Sequence, residues 1–255
     1  MAFKIAISGK GGVGKTTVSS LLVLRLIAQG CKPVLAVDAD PNTSLDAVLG
    51  VKAECTLGRV REEAREAAGQ GLGGGISKQQ LLELKLSESL VEADNFDLIA
   101  MGRPEGPGCY CYANNVLKQA LGEISGQYPY IVMDNEAGLE NLSRRIVQRV
   151  EVLVLVTDPS ARGFETIVRL YELAKEMDIR YDNLAVIVNR VRNGKLPDAA
   201  KGLKERVGAT VITALPDDDE IAAFAEGNKA FTGLSENNAA IKKIDEFIDQ
   251  LVIVK

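Results

Sequence analysis

The chain has 255 residues, of which 46% are hydrophobic and 25% are charged, a balance typical of a folded globular protein. It contains no histidine, so neither a catalytic triad with an imidazole base nor a histidine-ligated metal site can be built from it. Any metal must therefore be held by sulfur or oxygen. The formal charge of -5 argues against a broad basic surface, and we expect no nucleic-acid partner.

The first apolar stretch, residues 3–7, runs into glycine-rich sequence and is too short for a signal peptide. No window approaches the ~20 apolar residues of a membrane span. We therefore expect a cytoplasmic protein without a membrane partner. In that reducing compartment, four cysteines are more often buried thiols, metal ligands or redox groups than disulfides.

Short, β-branched and nearly all-apolar runs recur along the chain, and most are separated by helix-length amphipathic segments. Seven runs are predicted strands: residues 4–8, 33–38, 96–101, 130–134, 152–157, 184–189 and 210–215. Runs that are apolar on both faces are typical of a buried parallel sheet. The sequence therefore predicts an α/β fold with a mostly parallel sheet of seven to eight strands and helices on both faces.

The first predicted helix covers residues 16–29, where leucine and isoleucine recur at helical spacing. Residues 59–66 are charged and predict a surface helix, and residues 69–75 are the one glycine-rich, linker-like stretch. No internal repeat is apparent. We therefore expect residues 1–255 to form one domain.

A phosphate-binding loop follows the first predicted strand. The pattern G-x-x-x-x-G-K-[ST] is matched by Gly9, Lys10, Gly11, Gly12, Val13, Gly14, Lys15 and Thr16. Glycines let backbone N–H groups turn toward phosphate oxygens, and the helix that starts near Lys15 adds its positive end. Lys15 is expected to reach the β- and γ-phosphates, Thr16 to ligate Mg²⁺ and Thr17 to bond the α-phosphate of ATP or ADP.

Carboxylates end two of the predicted strands. Asp38 and Asp40 follow the second strand, and Asp134 ends an apolar strand as a Walker B aspartate does. Ligands of α/β proteins sit at this edge of the sheet. Helix capping would explain any one of these residues alone. Together with the phosphate loop, they predict a Mg²⁺–nucleotide site with Asp134 in the magnesium shell.

The form GKGGVGKT resembles the deviant Walker A motif of the MinD, nitrogenase iron protein and ArsA class of P-loop ATPases. The resemblance implies a homodimer in which Lys10 reaches the partner's nucleotide; a solvated loop lysine is the alternative. It also implies that Asp40 orients the attacking water, that Asp38 lies near Mg²⁺, and that Gly138 offers its N–H to the γ-phosphate.

The same resemblance places adenine between the ends of two later strands. Asn189 would bond the edge of the base, and the segment Pro216–Asp217 would cover its face. Turn formation explains Pro216 and Asp217 equally well, and both interpretations stay open.

Two of the four cysteines, Cys109 and Cys111, stand two residues apart in a Gly/Pro-rich loop, whereas Cys31 and Cys55 are most simply packing residues. Two thiolates are half of a tetrahedral metal site. If two chains meet across the nucleotide, the four sulfurs suit Zn²⁺, Ni²⁺ or an iron–sulfur cluster. The alternative is two unpaired loop cysteines.

Over essentially its whole length the chain resembles the CooC-type nickel-insertion ATPases, through the segments GKGGVGKT, VDADP, MGRPEGPGCYC and VMDNEAG. The resemblance implies a homodimer that binds Ni²⁺, with Zn²⁺ possible, through Cys109 and Cys111 of both chains. ATP hydrolysis would be coupled to delivery of the ion to a client enzyme, carbon monoxide dehydrogenase or acetyl-CoA synthase.

Two other functions share the same ATPase core. An iron–sulfur carrier or electron-transfer ATPase is the first alternative, although residues 134–143 lack the cysteine of a nitrogenase-like cluster and the spacing is C-x-C rather than the C-x-x-C of Mrp-type carriers. A ParA/MinD-type positioning ATPase is the second. The tail 241–255 reads as a helix docked on the domain rather than as a basic membrane-targeting helix.

Overall fold

The structure is a computed structural model that describes residues 2–59, 87–103, 110–139, 142, 146, 149–200 and 202–251. The side chains of residues 110–114, 116 and 193 are not among those described. Apart from Arg59, the predicted surface helix at 59–66 and the glycine-rich stretch at 69–75 lie outside the described residues.

One eight-stranded sheet runs through the molecule in the order β3-β4-β2-β5-β1-β6-β7-β8. The strands are β1 (Phe3–Gly9), β2 (Val34–Ala39), β3 (Leu90–Glu92), β4 (Phe96–Ala100), β5 (Tyr130–Asn135), β6 (Arg149–Thr157), β7 (Arg180–Val191) and β8 (Val211–Pro216). Neighbouring strands pair in parallel except for β3, which is antiparallel to β4. The seven predicted strands are confirmed, and β3 is an addition to them.

Helices cover both faces of the sheet, as predicted. They are α1 (Lys15–Ala28), α2 (Leu45–Leu49), α3 (Tyr110–Ile124), α4 (Ala161–Glu176), α5 (Leu203–Val207), α6 (Asp219–Glu226) and α7 (Ala239–Gln250). Helices α1 and α7 pack on the face that carries Ile5 and Val132. Helices α3 and α4 pack on the opposite face, over Ile131 and Leu153 respectively. Successive strand residues are therefore buried on alternate sides, which is why the buried parts of the strands are mostly apolar.

Helix α7 is docked on the domain, as the tail sequence predicts. Ile244, Phe247 and Ile248 are fully buried in the core shared with α1. Arg25 of α1 also bonds Asp245 at 2.9 Å, between the guanidinium Nε and the carboxylate Oδ1. The apolar face of this helix is thus covered by the protein itself. Within the described part of the chain, no helix has the length and apolar character needed to cross a membrane.

The parallel arrangement brings the carboxyl ends of β1, β2, β5, β6, β7 and β8 to one edge of the sheet. The phosphate loop, the strand-end carboxylates and the predicted base site all follow these ends. The candidate site is therefore assembled at this edge, where α/β folds bind their ligands.

Candidate functional site

The phosphate loop connects β1 to α1, and its glycines are required by its geometry. Gly12 and Gly14 have φ of 79° and 92°, a left-handed backbone that favours glycine. A Cβ on Gly14 would lie 2.2 Å from the Asn189 side-chain nitrogen, and one on Gly9 would lie 2.3 Å from the Val156 carbonyl oxygen. Residues of β6 and β7 therefore lie close against these two glycines and restrict the path of the loop.

The two lysines of the loop occupy different surroundings. Lys15, the first residue of α1, is 9% exposed, and its ammonium donates to the Lys10 carbonyl at 3.5 Å. The Lys10 side chain is exposed. The pKa of Asp158 is lowered mainly by its hydrogen bonding to Ser160 and further by the nearby positive charge of Lys10, so Lys10 lies close to the end of β6 in its own chain.

Asp134, at the end of β5, is joined to helix α1 by two hydroxyl groups. Thr16 Oγ1 donates to its Oδ2 at 2.6 Å, and Ser19 Oγ donates to its Oδ1 at 3.0 Å. Thr16 and Asp134 are the two residues predicted for a magnesium shell, and the structure brings their side chains together. Ser19, one turn further along the same helix face, was not predicted.

Asp38 and Asp134 form a buried pair of carboxylates on adjacent strands. They are register partners in the β2–β5 ladder, and their exposures are 0% and 1%. Burial raises the pKa of Asp134 to about 7, and the neighbouring charge of Asp38 adds to that rise. Burial likewise raises the pKa of Asp38 to about 6. Two buried like charges are destabilising unless a cation or donors offset them.

Donors on the protein satisfy Asp38 more fully than Asp134. The Asp38 oxygens accept three backbone N–H groups, from Asp40 at 3.1 Å, Ser44 at 2.8 Å and Leu45 at 2.9 Å. Asp38 thereby holds the connection between β2 and α2. Asp134, with a threonine hydroxyl beside it, offers the hard oxygen ligands that Mg²⁺ prefers. The residues present therefore fit a magnesium site at Thr16 and Asp134, with Asp38 behind it.

Asp40 lies in the same connection and is half-buried. Its Oδ1 accepts two hydrogen bonds from Asn42, one from the backbone N–H and one from the side-chain amide, both at 2.9 Å. Thr43, the next residue, has a φ of 44°, which is strained for a β-branched side chain. The connection is thus held in a conformation that the chain would not adopt by itself.

Gly138 lies beside the phosphate loop, and its φ of 92° requires glycine-like freedom. Its N–H donates to the Gly9 carbonyl at 3.0 Å, so the segment after β5 is bridged to the end of β1. Contact with a γ-phosphate stays a prediction, and it requires this N–H to leave the Gly9 carbonyl.

A cavity of about 280 Å³ lies between the ends of β7 and β8 and helix α6, next to the start of α1. Thr17, Asn189, Pro216 and Asp217 line it, and Ile221, Ala222 and Ala225 supply apolar surface. All three residues predicted for adenine are therefore brought together, and Thr17 links the cavity to the phosphate loop. A planar base fits the mixed apolar and polar lining.

Asn189 and Arg190 connect this cavity to the loop in a way that the sequence did not reveal. The Asn189 amide donates to the Val13 carbonyl at 2.9 Å, and its oxygen accepts the Arg190 N–H at 3.0 Å. Arg190 has a φ of 56° and donates to the Gly12 carbonyl at 3.3 Å. Asn189 therefore positions the phosphate loop in addition to lining the cavity.

The structure describes little of the segment that contains the predicted cysteine site. Cys109 lies outside the described residues. Cys111 was expected in the Gly/Pro-rich loop but lies in the first turn of α3, because the helix already begins at Tyr110; its side chain is not described. Cys31 is buried in the core, as expected of a packing residue, and Cys55 is half-buried. Within the described residues, no group of three or more Cys, Asp or Glu side chains has the arrangement of a metal site.

Comparison with known proteins gives one family and a consistent set of relatives. The model of the CobQ/CobB/MinD/ParA nucleotide binding domain matches residues 4–231. An uncharacterized ATP-binding protein of Methanocaldococcus jannaschii is 38% identical over 249 residues, which are 97% of this chain and 98% of that protein. The carbon monoxide dehydrogenase accessory protein CooC of Rhodospirillum rubrum is 30% identical over 188 residues, 69% of this chain and 71% of that protein.

Solved structures agree on the fold. The MinD cell division protein of Aquifex aeolicus matches with a TM-score of 0.69 at 23% identity, over 100% of this chain and 98% of that chain. The septum site-determining protein MinD from Pyrococcus horikoshii, complexed with Mg-ADP, matches with a TM-score of 0.69 at 22% identity over 100% of both chains. At these identities, the likeness establishes the architecture alone.

Proposed function

We propose, since the chain belongs to the CobQ/CobB/MinD/ParA nucleotide-binding family, that it uses ATP hydrolysis to deliver nickel to a client enzyme. Membership of the family makes the chain an ATP-binding P-loop ATPase of the MinD/ParA type, as its phosphate loop predicts. Nickel, the cysteine site and the client are the parts that we add. The observation that carries the ATPase chemistry is the contact of Thr16 with Asp134 beside the glycine loop.

The phosphates would lie against the loop between β1 and α1. Backbone N–H groups of residues 11–16 and the start of α1 supply partial positive charge there, and Lys15 carries a full one. Mg²⁺ bound at Thr16 and Asp134 would neutralise charge on the phosphate oxygens. Adenine would occupy the 280 Å³ cavity, with Asn189 at its edge and Pro216 and Asp217 at its face.

Asp40 would orient the attacking water. The half-buried Asp40 carboxylate follows β2 at the same edge of the sheet, with its Oδ1 held by Asn42. The exposed Lys10 would act on the nucleotide of a second copy of the chain, where its charge stabilises the γ-phosphate in the transition state. Hydrolysis on this scheme requires a homodimer.

The metal cargo would be held by Cys109 and Cys111 of both chains. What supports this proposal is the C-x-C pair within the segment MGRPEGPGCYC together with the CooC relative, whose name describes an accessory protein of carbon monoxide dehydrogenase. Four thiolates suit a soft ion such as Ni²⁺ or Zn²⁺. Because metal and nucleotide would both favour the closed dimer, each should change the affinity for the other.

Equilibrium dialysis of Ni²⁺ with the dimer, in ATP and then in ADP, tests the proposal. We expect one Ni²⁺ per two chains, an affinity that differs between the two nucleotides, and loss of binding in the double variant C109S/C111S. Cys55→Ser, a half-buried cysteine elsewhere, is the matched control and should bind as the original chain does.

Nickel binding that survives in C109S/C111S would reject the cysteine site. Stoichiometric iron and sulfide in protein purified without oxygen would favour the iron–sulfur alternative instead.

A further inference from the structure

The connection from β2 to α2, residues 40–44, is held from two sides. On its inner side, the buried Asp38 carboxylate accepts the N–H groups of Ser44 and Leu45. On its outer side, Asn42 bonds Asp40. The strained Thr43, with a φ of 44°, lies between these two attachments. A strained residue persists only where its surroundings hold it, so the outer attachment contributes to the shape of the connection.

The outer attachment includes a residue from another part of the chain. The Arg103 guanidinium donates to the side-chain oxygen of Asn42, across 61 positions of sequence. An asparagine amide has one oxygen that accepts and one nitrogen that donates. Because Arg103 occupies the oxygen, the nitrogen must face Asp40. The two ends of the amide are thus held by different residues. Without Arg103 only the nitrogen end keeps a partner, so the Asn42 side chain is less restrained against Asp40.

The orientation of the Asn42 amide determines which oxygen of the Asp40 carboxylate can contact a water molecule. Both Asn42 bonds fall on Oδ1. Oδ2 has no donor among the described residues, so it is the oxygen available to a water molecule. A carboxylate that is fixed through one oxygen presents the other in a defined direction, which is what orienting a nucleophilic water requires.

The backbone beneath Arg103 is itself fixed. The Met101 N–H donates to the Asp38 carbonyl at 2.8 Å, and the Gly58 N–H donates to the Met101 carbonyl at 2.8 Å. Gly102 has a φ of 63°, and a Cβ there would lie 2.2 Å from Thr56 Oγ1. Arg103 therefore extends from a packed base toward Asn42.

We propose that Arg103 is a positioning residue for ATP hydrolysis, which acts by fixing the Asn42 amide so that Asp40 is held through Oδ1 and presents Oδ2 to water. The proposal rests on the role of Asp40 in the proposed function. Arg103 also stands six positions before Cys109, so the contact connects the hydrolytic carboxylate to the chain segment that leads to the cysteines.

The test compares steady-state hydrolysis by Arg103→Ala, Arg103→Lys and the original chain. For Arg103→Ala we expect kcat to fall about tenfold while KM for ATP stays within about twofold, since the water and not the nucleotide is misplaced. Arg103→Lys keeps a donor for the Asn42 oxygen and should recover part of kcat. The matched control is Arg169→Ala, which removes an exposed arginine from α4 and should leave both constants unchanged.

Asn42→Asp gives a second, independent variant. An aspartate at 42 still accepts from Arg103 but has no side-chain donor for Asp40, so kcat should fall as in Arg103→Ala. Arg103 and Asn42 are both exposed, so thermal unfolding should hardly change in either variant.

An original-level kcat in Arg103→Ala, or a loss confined to KM, would overturn the inference. Asp40→Asn separates this failure from a failure of the proposed function. If Asp40→Asn loses turnover while Arg103→Ala keeps it, only the positioning role is wrong. If Asp40→Asn keeps turnover as well, the assignment of Asp40 falls and the inference falls with it.

Discussion

The candidate site has two sides, and they are built by different means. The phosphate side, which comprises residues 9–17 with Asp38 and Asp134, depends on backbone N–H groups, left-handed glycines and buried charge. The base side is the 280 Å³ cavity at the ends of β7 and β8, and it is formed mainly by side chains of α6 and of the strand ends. Changes on the phosphate side should therefore impair phosphate binding and hydrolysis, whereas changes on the base side should impair only the affinity and selectivity for the base.

Asp134→Asn should have the largest effect, because it removes the charge of the proposed magnesium ligand and keeps the side-chain shape. We expect Mg²⁺-dependent hydrolysis to fall about 100-fold or more. Stability without nucleotide should not fall, since burial raises the pKa of Asp134 to about 7 and the charged form is therefore unfavourable in the folded chain.

The free energy of unfolding of the same variant, measured as a function of pH, tests the raised pKa of Asp134 independently of hydrolysis. A carboxyl whose pKa is raised by folding stabilises the folded state below its unfolded pKa, and that stabilisation is lost as the pH rises through about 7. In Asp134→Asn the free energy of unfolding should therefore fall less steeply as the pH rises. The fall that remains comes in part from Asp38, whose pKa is raised to about 6.

Full hydrolysis by Asp134→Asn would contradict the placement of the magnesium site.

Gly14→Ala tests the contact between the two sides. Its Cβ would lie 2.2 Å from the Asn189 amide, at a φ of 92°. Gly12→Ala is the matched control, because its φ of 79° is similarly strained but its Cβ would have no atom of the described residues within 4 Å. We expect ATP affinity, measured by calorimetric titration, to fall about tenfold more in Gly14→Ala than in Gly12→Ala. Equal losses in the two variants would show that backbone strain alone, and not the steric clash with Asn189, lowers the affinity for ATP.

Ala222→Leu should have the smallest effect and should act on the base side alone. Ala222 lines the cavity, whereas its neighbour Ala223 on α6 does not, so Ala223→Leu is the control. We expect the Kd for ATP to rise about tenfold in Ala222→Leu, with the Kd for inorganic tripolyphosphate unchanged. If tripolyphosphate binding weakened equally, the cavity would not be a site for the base.

The strands could be predicted because their environment leaves a signal in the sequence. Seven of them contain a run of buried residues that faces both sides of the sheet, and these runs are mostly apolar. The strand β3 was missed because it has only three residues, two half-exposed and one exposed, and among the described strands it pairs with β4 alone. Three residues are too few to establish a period.

The site also contains residues that leave a local pattern in the sequence and residues that do not. The phosphate loop could be predicted because its residues are consecutive and each glycine has a local backbone reason. Ser19, Arg190 and Arg103 were not predicted, since each acts through a contact with a residue far away in sequence. The Arg190 contact spans 178 positions and the Ser19 contact spans 115. No spacing rule connects such pairs before the fold brings them together.

The bridge between Gly138 and Gly9 bears on how the protein would distinguish its nucleotides. The Gly138 N–H carries a single hydrogen, which the Gly9 carbonyl accepts at 3.0 Å. If that hydrogen turns to the third phosphate, as the proposed role of Gly138 requires, two acceptors compete for one donor. A diphosphate would then leave the bond to Gly9 in place, whereas a triphosphate would break it and shift the segment after β5.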